Sequence, residues 1–79
     1  MSINADQELN IKGEVCPFTF VKTKLKLESM APGEVLRVVV DHEPATRNVP
    51  RSAENEGNEV LVWPHKFNDT DWEFFIKKK

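Results

Sequence analysis

A single cysteine, Cys16, occurs in the 79 residues. One thiol cannot close an internal disulfide, so nothing here asks for an oxidising compartment. His42 and His65 are the only histidines, and no zinc-binding spacing can be assembled from them. The three glycines form no phosphate-cradling loop, and no carboxylate pair at helical spacing asks for a catalytic role. No apolar run approaches the ~20 residues that span a bilayer. The segment from Met1 to Glu8 is polar and lacks the basic start and apolar stretch of a signal peptide. Internal repeats and low-complexity tracts are missing too. These absences lead to the expectation of a cytoplasmic, monomeric protein with no metal and no cofactor of its own.

What is present fits one small globular domain. The hydrophobic fraction is 39%, with five Phe and two Trp. A chain this short has no room for a second core and must use almost every apolar side chain it has. The expected unit is 1–79, with residues 1–7 flexible. The net charge of −2 argues against nucleic acid as the main partner. Lysines cluster at Lys22, Lys24 and Lys26 and again at Lys77, Lys78 and Lys79, while Glu54, Glu56 and Glu59 form an acidic cluster. Each cluster taken alone reads as ordinary solvated surface.

Hydrophobic periodicity supplies the elements. A first strand is expected near Glu8–Lys12, with Leu9 and Ile11 on one face and Gly13 ending it. Cys16-Pro17 then opens a helix to about Met30, because proline suits a first helical position, and Pro32-Gly33 stops it. That helix carries two apolar stripes nearly opposite one another: Phe20, Leu27 and Met30 on one, Phe18, Val21 and Leu25 on the other. One stripe must face the sheet. The other either packs on a neighbouring helix or stays at the surface as a docking patch. Glu34–Asp41 is a strand rich in β-branched residues. Pro44–Glu56 repeats Ala45, Val49 and Ala53 every four residues and ends at Gly57. Pro50 either kinks this helix or begins it.

Two further strands are expected, Glu59–Trp63, broken by Pro64, and Trp72–Lys77. The latter is apolar on both faces, as interior strands are. The order βαβαββ gives an α/β two-layer sandwich, with a four-stranded mixed sheet and both helices on one face.

A lone cysteine is most often a small buried hydrophobe. Cys16 differs in standing at a loop-to-helix junction, where unpaired N–H groups and the helix dipole both favour a thiolate. A dipole contribution of about 0.3–1 kcal/mol, up to about 2, lowers a thiol pKa by roughly one unit at most. A dyad with His42 is conceivable. Sulfur transfer between thiols, however, needs a thiolate and an approachable sulfane sulfur rather than a triad. If Cys16 itself caps the helix, the N–H of Thr19 is the natural donor to its sulfur.

The run Cys16-Pro17-Phe18-Thr19-Phe20-Val21-Lys22-Thr23-Lys24, followed by Leu27, Met30 and Pro32-Gly33-Glu34, resembles the TusA (SirA-like) sulfurtransferase family. Val49-Pro50, Ala53-Glu54, Gly57-Asn58-Glu59-Val60 and the closing Phe74-Phe75-Ile76-Lys77-Lys78 extend the likeness from about Leu9 to Lys78. Thr19 stands where the family motif has its second proline, and His42-Glu43-Pro44 replaces the more usual Asp-Pro after the second strand. The resemblance implies a sandwich like the C-terminal domain of translation initiation factor three, with the final strand between the second and third. It also implies that Cys16 accepts sulfur as a persulfide from a donor protein, such as a cysteine desulfurase or a rhodanese, and gives it to an acceptor's cysteine. The uses would be tRNA thiolation, cofactor assembly or sulfur oxidation. On this reading Cys16 is the catalytic residue, Pro17, Phe18 and Thr19 form the persulfide loop, and Lys22, Lys24 and Lys26 dock partners. The alternatives are a binding or redox-regulatory module with Cys16 structural or redox-sensing, and nucleic-acid binding through the lysine-rich helix face.

Overall fold

The computed structural model describes residues 5–15 and 18–79; positions 1–4, Cys16 and Pro17 lie outside the described residues. The elements run β1 (Gln7–Asn10), α1 (Phe18–Glu28), β2 (Val35–Val40), α2 (Ala45–Asn55), β3 (Glu59–Lys66) and β4 (Trp72–Lys77). The sheet order is β1-β2-β4-β3, with β1 parallel to β2 and the other two pairings antiparallel. The final strand therefore lies inside the sheet, as its two apolar faces required.

Alternation along the strands decides which face is covered. Leu36, Val38 and Val40 of β2 and Phe74 and Ile76 of β4 are completely buried, and Val60 of β3 joins them. Leu27 and Met30 from the first helical segment and Ala45, Val49 and Ala53 from α2 close the same core. Both helices thus share one face, and the molecule is only 17 Å through its thinnest direction. Each fully buried Val, Leu, Ile or Phe contributes about 1.5–3 kcal/mol against exposure. No helix covers the other face, although Val39 and Phe75 on it are buried. That face carries a row with one member from each strand: Glu8, Arg37, Glu73 and His65.

Four details depart from the sequence expectation or decide it. Asp6 and Gln7 fall within the start expected to be flexible, yet the Asp6 N–H donates to Val35 O at 2.8 Å and the Asp6 carboxylate accepts from the Val35 N–H at 2.9 Å. Gln7 already belongs to β1. Pro50 does not begin the second helix; α2 starts at Ala45 and runs through it, with Pro50 buried in the core. Nor does Pro64 break β3. That strand is at the sheet edge and shifts register between Val62 and His65, so the missing N–H of Pro64 falls where the ladder does not need it. The end of α2 was anticipated at Gly57, which has φ +96°. There Asn58 N–H reaches Ala53 O at 3.0 Å and Gly57 N–H reaches Glu54 O at 2.9 Å, the paired bonds of a Schellman cap.

Candidate functional site

Because β1 and β2 are parallel and β4 starts where β2 ends, three connections meet at one rim of the sheet. These are the loop from β1 to α1, the Asp41-His42 stretch after β2, and the β3–β4 turn. Cys16 is a member of the first connection by sequence; its own placement and that of Pro17 fall outside the described residues.

The part of this loop that is described is firmly held. Ile11 is buried in the core and its N–H donates to Val39 O at 3.0 Å. Gly13 takes φ +88°, a backbone region open to glycine, and its N–H donates to the Asp41 carboxylate at 2.9 Å. Lys12 reaches across the rim, with Nζ 3.4 Å from Asp71 Oδ2. Asp71 in turn accepts from Asn68 Nδ2 at 2.9 Å and from the Thr70 hydroxyl at 3.1 Å. The hydrogen bond from Asn68 leads in holding the Asp71 carboxyl below its ordinary value; burial opposes it, and Thr70 and Lys12 reinforce it.

Helix α1 begins its hydrogen bonding on Val15, whose carbonyl accepts from the N–H groups of Phe18 at 2.8 Å and Thr19 at 3.3 Å. The expected contact of the Thr19 N–H with the Cys16 sulfur involves a residue outside the described set. Thr19 and Thr23 are also buried, in line with Leu27 at a spacing of four, a line that neither apolar stripe of the sequence marks. Phe20 packs at the edge of the core. Threonine is tolerated inside because its polar atom can be satisfied locally: the Thr23 hydroxyl donates to Thr19 O at 2.8 Å.

The opposite stripe is at the surface. Val15, Phe18, Val21 and Leu25 are 50, 57, 43 and 60% exposed, an apolar strip that runs down α1 from the rim. The expected docking lysines flank it, each with a partner. Lys22 Nζ is 3.0 Å from Glu14, Lys24 Nζ is 3.4 Å from Glu56 of the α2 end, and Lys26 Nζ donates to Gln7 Oε1 at 3.2 Å. Sequence reasoning missed Asp41 and Asp71 as loop holders, since only topology brings them beside residues 11–15.

His42 stands at the same rim, while His65 is on the helix-free face, bonded to Glu73 at 2.9 Å. Among the described residues no group of three metal-ligating side chains converges, and no helix is long and apolar enough to cross a membrane.

Fold and loop define the class, a TusA-type α/β sandwich whose cysteine precedes the first helix in sequence. The profile described as sulfurtransferase TusA matches residues 7–78, so the chain belongs to that family. A candidate sulfur carrier protein of Archaeoglobus fulgidus is 60% identical over 98% of this chain and 86% of its own length. Another, from Thermotoga maritima, is 37% identical over 90% of this chain and 89% of its own. The crystal structure of a SirA-like protein from Desulfitobacterium hafniense superposes with a TM-score of 0.77 at 25% identity, covering 90% of this chain and 95% of that one. The chain is thus of the sulfur-carrier class.

Proposed function

We propose that Cys16 carries sulfane sulfur as a persulfide and hands it to the thiol of an acceptor protein. The observation that carries this reading is that the only cysteine falls inside the matched family region, two residues before α1. In loading, the Cys16 thiolate attacks the terminal sulfur of a donor persulfide. A new sulfur–sulfur bond forms on Cys16, the donor's own sulfur–sulfur bond breaks, and the donor thiolate leaves with the electron pair. Unloading is the same exchange with the acceptor thiolate as nucleophile. No net oxidation occurs in either step, so no further reactant is needed.

The chemistry asks for approach more than for a base, and the apolar strip beside the loop supports it. Donor and acceptor proteins would cover Val15, Phe18, Val21 and Leu25, with Lys22 and Lys26 steering acidic surfaces. The test is incubation with a cysteine desulfurase, cysteine and pyridoxal phosphate, followed by mass spectrometry. One extra sulfur is expected on the Cys16 peptide and none on Cys16→Ser. Sulfur taken up equally by the serine variant sinks the proposal.

A further inference from the structure

We propose that Asp41 and Asp71 are positioning residues for Cys16, clamping the loop before it to the ends of β2 and β4. The inference rests on the carrier reading for its purpose but on loop geometry for its substance. Residues 11–15 are the only described covalent lead into Cys16 from the sheet, and they are tied to the sheet and its rim at three points. Ile11 is fixed by burial and by Val39 O. Gly13 is fixed by the Asp41 carboxylate, which lies one residue past the end of β2. Lys12 is fixed by Asp71, 59 residues away in the chain.

The two acids differ in how they hold. Asp41 uses one carboxylate oxygen as an acceptor for a backbone N–H, a task an asparagine carbonyl can also perform. Asp71 uses its charge on Lys12, and it is itself fixed by Asn68 and Thr70 rather than by the loop it holds. One clamp is therefore geometric and the other electrostatic. A loop held this way fixes the backbone up to Val15, whose carbonyl accepts the first described hydrogen bonds of α1. Released, it averages over many orientations, and the stabilisation that fixed dipoles give a thiolate is averaged with it. Loss of Lys12 also leaves the negative Asp71 unopposed near the loop, which acts in the same direction. Both changes should move the thiol toward the ordinary cysteine value and slow its reaction at neutral pH.

The experiment is the rate of Cys16 alkylation by iodoacetamide against pH, on the full chain, with thermal unfolding measured in parallel. Lys12→Met is the cleaner probe of the second clamp because it leaves the Asn68–Thr70–Asp71 turn intact. The expected result is a drop of at least threefold in the rate at pH 7 for Asp41→Ala and for Lys12→Met, with the profile midpoint moved upward. Asp41→Asn should restore the wild-type profile, and the Lys12→Met effect should shrink as salt is added to the wild type. A merely structural role would lower the melting temperature and leave the midpoint in place. Unmoved midpoints in both variants overturn the inference, whatever happens to stability. If the midpoints move while wild-type protein takes up no sulfur from a desulfurase, the clamp stands and the carrier reading falls.

Discussion

Glu73 shows how a single side chain can make this fold sensitive to acid. Its partial burial pushes the carboxyl up, but hydrogen bonds from His65 at 2.9 Å and Arg37 at 2.7 Å, with the charges behind them, hold it below its ordinary value of 4.5 on balance. A carboxylate whose folded pKa is depressed adds stability above the unfolded value, and that stability is lost as pH falls through the folded one. Stability should therefore decline as the pH drops below about 4.5, and Glu73→Gln should flatten part of that decline in urea midpoints. Asp71, also depressed, supplies a further part that remains in the variant. An equally steep decline in Glu73→Gln would remove Glu73 from the account. None of this was legible in the sequence, because Glu8, Arg37, Glu73 and His65 are brought into one row only by the strand order.

At the scale of elements, α1 joins the most readable and the least readable features. It ends at Glu28, short of the expected Met30, but its apolar surface stripe and the burial of Leu27 follow from a period of 3.6. The buried line through Thr19 and Thr23 does not, since a polar residue is assigned outward unless its hydrogen bond is known in advance. The exposed face yields a prediction about transfer. Phe18→Ser with Leu25→Ser should weaken partner encounter by about tenfold in kcat/KM, the size expected when apolar anchors leave an interface. Melting should hardly change, because neither side chain is in the core. Reversal of Lys22 and Lys26 to glutamate should slow transfer mainly at low salt. Lys24 is better left alone, as its pair with Glu56 joins α1 to the end of α2. Transfer rates unaffected by loss of Phe18 and Leu25 would move the docking surface elsewhere.

Over the whole molecule, the layer arrangement and the interior place of β4 were readable because both depend on alternation and on right-handed crossovers. Edges were harder. Pro64 looked like the end of a strand, because its tolerance depends on a position at the sheet border that no local pattern encodes. The same ignorance of borders hid the rim where Lys12, Gly13, Asp41 and Asp71 meet.

The proline inside β3 has a consequence for life in a crowded solution. An open sheet has two borders, and each is an invitation for another chain to add itself by backbone pairing. Here one border is β1, only four residues long, and the other is interrupted by Pro64 and two register shifts. On the carrier reading proposed above, the chain must meet and leave both a donor and an acceptor, and borders that resist pairing favour that release. Pro64→Val should let β3 pair along its outer side. The variant should keep its melting temperature to within a few degrees while scattering more light on prolonged incubation at high concentration. A variant that stays as clear as the wild type would show that β1 and the register shifts suffice to keep one molecule from becoming the template for the next.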